Sequence, residues 1–195
     1  MGAGEDDMQQ TTDSARERLL TAAHRLFYEH GIRATGIDRI IAESGVAKMS
    51  FYRHFPSKDD LALCFLSERH ARWMDWFKQR CDALGTGRKQ RLPAAADALR
   101  EWFSEPGFRG CAFINTLAEL GPAGEDSPAL AIVQAHKDEL LAYLESLIDA
   151  PPKRRQKLAR RALLVIEGAI VRAQMTRDAS VAGEARDVLE MLCGN

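Results

Sequence analysis

The sequence predicts an all-α protein, with an N-terminal three-helix helix-turn-helix domain over residues 12–58 and a C-terminal helical domain over 59–195. Three observations predict it. Apolar residues recur at helical spacing in segment after segment. No convincing strand interrupts them. The run from Thr35 to Leu61, TGIDRIIAESGVAKMSFYRHFPSKDDL, reads as two short helices joined by a tight turn. Basic and hydroxyl residues sit on the second of these, an arrangement that puts side chains into a DNA groove.

The first dozen residues, acidic and polar, read as a mobile tail. They lack the basic and apolar regions of a signal peptide, so the expected address is cytoplasmic. Ser14-Ala15-Arg16-Glu17 has the S-x-x-E form of a capping box and predicts the start of the first helix. Leu19, Leu20, Ala23, Leu26 and Phe27 mark its buried stripe. Gly31 is placed to end it in the left-handed conformation. Thr35 is the expected N-cap of the second helix, with Asp38 near its positive end and Ile37, Ile40 and Ile41 as its apolar side. Gly45 permits the turn and Val46 plugs the small core. A third helix covers about Lys48 to His54, with Phe51 and Phe55 packing inward four residues apart. Pro56 stops it. Ser57 is a candidate cap for a fourth helix, from Lys58 toward Lys78.

Gly85 and Gly87 break the pattern, which resumes around Leu92 to Phe103. Pro106 and Gly107 break it again. Cys111 to Leu120 is a shorter helical segment that Gly121-Pro122-Ala123-Gly124 ends. Pro128 fits the first turn of a helix running to Ile148. Two further helices are expected over about Lys153–Met175 and Ala182–Leu192.

Net charge is only −1, but the average hides a local field. Between Ser14 and Lys58 eight cations face four acids. Beyond Lys58 the charges mix and lean acidic. On the third helix, Lys48 and Ser50 suit a base edge or a phosphate, and Met49 offers apolar contact alone. Tyr52, Arg53, His54 and Lys58 suit phosphate contacts that fix position. The start of the second helix, at Thr35 and Gly36, is a further candidate phosphate site.

The matching run Thr35, Ile40, Ala42, Gly45-Val46, Lys48, Ser50, Phe51-Tyr52, His54-Phe55, Lys58 and Leu61 resembles the TetR/AcrR family of bacterial transcriptional regulators. Upstream, Ala22-Ala23, Leu26-Phe27 and Gly31 are similar to the family's first helix, so the likeness covers about Ser14 to Leu66. It implies that Lys48, Met49, Ser50, Tyr52 and His54 line the DNA-facing side and that Lys58 lies near the backbone. The family often has glycine or alanine in place of Met49, and alanine in place of Ile41 and Ser44. That departure bears on operator preference. The resemblance also implies a homodimer on a palindromic operator, usually a repressor released by a small molecule.

A second copy is needed because one helix-turn-helix reads few bases. The expected dimer face comprises Leu158, Ala162, Val165, Ile166, Ala169, Ile170 and Ala173, with Ala185, Val188, Leu189 and Leu192. The same stripe also fits the domain's own core. Trp73, Trp76, Trp102, Phe103, Phe108 and Phe113, with Cys111, Asn115 and Glu119, are candidates for a pocket taking an apolar or aromatic effector. The rings fit ordinary core equally well. Arg109 to Asn115 resembles a G-C-x-x-x-N segment of one family branch. Cys111, with Arg109 two residues away, reads either as a redox or electrophile sensor or as a small buried hydrophobe.

Four dispersed cysteines form no CxxC pair, and five histidines form no HExxH pair. No phosphate-binding glycine loop is present, and no nucleophile–base pairing is visible. No segment approaches a membrane span. The sequence therefore predicts no metal, no cofactor and no enzyme. An activator, a helical adaptor or a helical enzyme remain the competing functions.

Overall fold

The computed structural model describes residues 3–120 and 127–194. They form α1 (Ala3–His30), α2 (Ile37–Ser44), α3 (Lys48–His54), α4 (Lys58–Leu84), α5 (Ala94–Phe103), α6 (Ala112–Leu120), α7 (Pro128–Ser146), α8 (Pro152–Thr176) and α9 (Val181–Gly194). No strand occurs among the described residues. The expected glycine–proline break at residues 121–124 lies outside them.

Helix α1 departs from expectation at its start. It is continuous from Ala3, so Ser14 is interior and the S-x-x-E motif is not its cap. Residues 3–13 contain no proline and one glycine, so nothing in the chain stops the helix from running back past Ser14. At the other end Gly31 (φ 88°) closes it as expected, its amide bonded to the Phe27 carbonyl at 2.9 Å. Ser57 caps α4: its hydroxyl accepts the Asp60 amide at 3.1 Å and donates to the Asp60 carboxylate at 2.7 Å.

The chain divides into two compact units, Met1–Arg69 with Phe113–Ile132, and His70–Ala112 with Val133–Asn195. The first is larger than the expected 12–58 segment. It is built around Leu19, Leu26, Phe27, Ile40, Leu61 and Phe65, all buried. Glu119 on α6 belongs to it, accepting the amides of Ile32 and Arg33 at 3.2 and 2.6 Å.

In the second unit α5 buries four alanines, Leu99 and both of its aromatic rings. Alanines let partner helices approach closely, and α5 packs on α8 and α9, which also pack on each other. This consumes the stripe expected to form a dimer face. Leu158, Ala162, Ile166, Ala169, Ile170, Ala173, Ala185 and Leu189 are all buried within the chain. Val165 and Leu192 are half-buried, and Val188 is exposed. The apolar residues that α8 leaves outside are Leu164, Val171 and Met175, with exposed Gly168 between them.

A polar chain runs through the same unit. Lys78 Nζ lies 2.5 Å from Glu139, Glu139 lies 3.0 Å from His70 Nε2, and His70 Nδ1 lies 3.1 Å from His136 Nδ1. His136 is 2% exposed and sits edge-on to Trp73. Burial lowers its pKa from 6.5 to about 3, with Lys137 and His70 adding to the effect. The unfolded chain therefore takes up this proton at higher pH than the folded one. The stabilisation is fully present above pH 6.5 and is lost as pH falls toward 3. Urea unfolding at pH 6.5 and 5.5 is expected to show the native chain losing about 1 kcal/mol more than His136→Gln over that one unit. Parallel losses in the two proteins contradict the assignment.

Candidate nucleic-acid interface

The turn between α2 and α3 is fixed by a few specific bonds. Gly45 (φ 61°) takes the left-handed conformation and bonds its amide to the Ile41 carbonyl at 3.0 Å. A Cβ there would sit 2.8 Å from Arg18 Nη2. That guanidinium donates to the Ser44 carbonyl through Nε at 3.0 Å and Nη2 at 2.5 Å, tying the turn to α1. Ser44, where the family often has alanine, donates to the Ile41 carbonyl at 3.1 Å and accepts the Val46 amide at 3.3 Å. Val46 is buried beneath.

Helix α3 is then held by its rings. Phe51 and Phe55 are 0% and 2% exposed, with centroids 6.2 Å apart. Arg16 of α1 lies over Phe55, 5.5 Å from the centroid. With those rings inside, the other side faces out. Met49 is 77% and Tyr52 42% exposed, Lys48 and Arg53 are exposed, and Ser50 is half-buried. Lys48 Nζ rests 3.4 Å from Asp38 of α2, an exposed pair that water screens strongly. Arg53 has no ion pair among the described residues. Gly36, exposed and the N-cap of α2, has nothing within 4 Å of its would-be Cβ, so backbone there is open to close approach.

Three expected contacts are placed differently. Thr35 is 0% exposed and is not the N-cap; its hydroxyl donates back to the Gly31 carbonyl at 2.7 Å. A β-branched residue in a tight interhelical loop gains more from that internal acceptor than from water. Lys58 is half-buried, and Nζ donates to the carbonyls of Ile32 at 3.0 Å and Thr35 at 3.3 Å. It clamps the α1–α2 loop, whose carbonyls lack helix partners. His54 is half-buried, with Nε2 buried and without a hydrogen-bond partner among the described residues. Other cations, though exposed, also have partners within the chain: Arg25 pairs with Glu43 and, at 3.1 Å, with Glu29, and Arg33 donates to the Glu119 carbonyl at 3.1 Å. The local surplus of charge is thus partly structural. Sequence reasoning passed over Arg39, exposed on α2 and 2.8 Å from His30 Nε2. Its position three residues after Gly36, on the outer side of α2, was the available signal.

Of the effector candidates, the five rings of the second unit cluster. Trp73 meets Trp102 at 5.4 Å between centroids, and Phe108 meets Trp102 and Phe103 at 5.0 Å each. Trp76, half-buried, lies 6.4 Å from Trp73. Trp73 Nε1 is buried with no hydrogen-bond partner among the described residues. Phe113, Asn115 and Glu119 belong to the first unit. Glu119 holds the Ile32–Arg33 amides there, a structural role. Cys111 is buried, and its thiol accepts from Lys137 Nζ at 3.6 Å, which itself lies 3.0 Å from Glu167. Arg109, the expected neighbour, donates to the Phe108 carbonyl. Among the described residues no group of His, Cys, Asp or Glu is arranged to hold a metal ion, and no helix is long and apolar enough to cross a membrane.

Comparison with known proteins gives a consistent result. Residues 19–63 match the family model described as bacterial regulatory proteins, tetR family. A TetR-family transcriptional regulator from Streptomyces coelicolor superposes with a TM-score of 0.83 at 30% identity, over 99% of this chain and 95% of that one. A TetR-type regulator structure from Streptomyces avermitilis gives 0.73 at 29% identity, covering 91% of this chain and 95% of that one. Among curated proteins, the transcriptional activator FasR of Mycolicibacterium smegmatis is 37% identical over 87 residues, 45% of this chain and 39% of its own length.

The two lysines of the interface are expected to separate by stability. Lys58→Met should lower unfolding free energy by about 1–2 kcal/mol, since two part-buried carbonyls lose a charged donor. Lys48→Met should change it by less than about 0.5 kcal/mol. Thermal or urea unfolding of both variants checks this, and equal effects contradict the clamp.

Proposed function

This chain belongs to the TetR family of bacterial regulatory proteins, and we propose that it is a dimeric repressor released from a palindromic operator by a small effector. One observation carries the DNA-binding part: α3 is pinned by two buried rings while Lys48, Met49, Tyr52 and Arg53 point outward together. A seven-residue helix held this way projects far enough to enter a major groove. Met49, Lys48 and Ser50 are its base-edge contacts. Tyr52 and Arg53 of α3, with Gly36 and Arg39 at the start of α2, are the phosphate contacts. Filling of the aromatic cluster around Trp73 and Trp102 by an apolar or aromatic molecule is the proposed release signal. The family resemblance supports repression. FasR, a relative named as an activator, favours activation as the second reading.

Selection of bound duplexes from a random pool should yield an inverted repeat with half-site centres about 34–36 Å apart, or a multiple of it. On that duplex Arg53→Ala should weaken binding alike for all sequences and lower the salt slope by about 1. Met49→Ala should leave the slope and change the preferred base at one position per half-site. Loss of slope from Met49→Ala, or failure to select any repeat, contradicts the assignment.

The dimer face we propose is the outer side of α8 and α9. Leu164, Gly168, Val171 and Met175 follow one another at spacings of four, three and four, and Val188 and Met191 of α9 are exposed as well. Glycine 168, with no atom within 4 Å of its would-be Cβ, lets a second helix come close. Leu164→Asp with Met175→Asp should give a folded monomer by sedimentation and weaken operator binding by at least about 100-fold. An unchanged dimer rejects this face, while the substitutions Ala162→Asp or Ile166→Asp would unfold the unit instead.

A further inference from the structure

Helix α8 begins against the usual charge preference of helices. Residues 152–161 hold six cations and no acid. Lys153, Arg154 and Arg155, in the first turn, meet the positive end of the helix dipole unfavourably. Arg155 is offset by Glu145 at 3.2 Å. Arg154, Lys157 and Arg161 are arranged otherwise: spaced at i, i+3 and i+7, they surround Leu158 on one face and line open space.

That space consists of two adjoining cavities of about 270 and 390 Å³, which share Arg154, Leu158 and Leu192 as walls. The first lies along α8 and α9 beside Lys157, Arg161 and Met191. The second reaches the α7–α8 turn at Leu147, Ile148 and Pro151, with Arg88, Lys89 and Cys193 at its edge. The lining includes one acid, Asp149, which is paired with Arg88 at 3.2 Å. The volumes are those of small-ligand sites, and the walls combine apolar floor with convergent cations.

We propose that this cleft binds a small amphipathic anion, its alkyl or aromatic body on Leu147, Ile148, Leu158 and Leu192 and its phosphate or carboxylate head on Arg154, Lys157 and Arg161. A neutral apolar guest would cover the floor and leave the cations unanswered. An inorganic anion would answer the cations and leave the floor wet. An anion with an apolar body satisfies both, and its charge complements the dipole of α8. The site is distinct from the aromatic cluster and does not depend on operator binding; it adjoins the proposed dimer face, with Met191 common to both and Arg161 one helical turn before Leu164.

Cys193 is a built-in reporter. It edges the cleft, is half-buried, and its thiol is raised by burial and by Glu190. The experiment is calorimetric titration of the full-length protein with decyl phosphate, decanoate, decanol and inorganic phosphate, all below micelle formation. Alkylation of Cys193 is followed by peptide mass spectrometry. Decyl phosphate or decanoate should bind at least about tenfold more tightly than decanol and inorganic phosphate, and should slow Cys193 alkylation. Comparison of the two acids identifies the preferred head group. Arg154→Gln with Arg161→Gln, both exposed positions, should weaken binding at least about tenfold while circular dichroism stays unchanged. Equal affinity for the decyl anions and decanol overturns the proposal. So does binding that leaves Cys193 alkylation or the double variant unaffected. A Cys193 that is unreactive in the native protein but reactive when unfolded also overturns it, because another copy then closes the cleft.

Discussion

Burial of Phe51 and Phe55 is the constraint on which the rest of the interface depends. A seven-residue helix has no stability of its own in water, because nucleation costs more than so few bonds return. Its existence and its rotation are both set by tertiary packing. Removing either ring from a fully packed core would cost about 3–5 kcal/mol. With both rings fixed, the helical period leaves little choice about where Lys48, Met49 and Tyr52 point. The outward face is a consequence of the inward one.

The charges around α3 follow a division of labour. Arg18 and Lys58 spend their donors on backbone carbonyls that the two loops leave without helix partners. Those bonds hold α1, α2 and the start of α4 in one frame. Lys48 and Arg53 lie on the opposite side, where Lys48 meets an exposed aspartate and Arg53 has no ion pair among the described residues. A phosphate can replace that aspartate at little cost, whereas displacing Lys58 would strip the loop. A net charge of −1 therefore conceals a short cationic surface backed by structural cations.

The parts of the molecule legible in the sequence were those set by local rules. The bounds of α3, the turn at Gly45, the Ser57 cap and the inward phenylalanines each follow from residues within four positions of one another. What failed depended on distant partners. Nothing near Thr35 announces that its hydroxyl turns toward Gly31 within a buried loop, and nothing near Lys58 announces two carbonyls more than twenty residues upstream. The small-residue stripe of α8 was visible, but periodicity cannot say which helix covers it. Alanine-rich α5 does, and this moves the candidate dimer face around to Leu164 and Met175. Ser14-x-x-Glu17 misled because a capping motif works as a cap only where the preceding chain leaves the helix.

The most direct test of the central claim is a structure of the protein bound to its selected operator. It should show α3 of each protomer in successive major grooves on one face of the duplex, with Met49 against a base edge, Arg53 at a phosphate, and Phe51 and Phe55 still enclosed. A complex in which α3 lies away from the grooves, or in which either phenylalanine leaves the core to reach DNA, would contradict it.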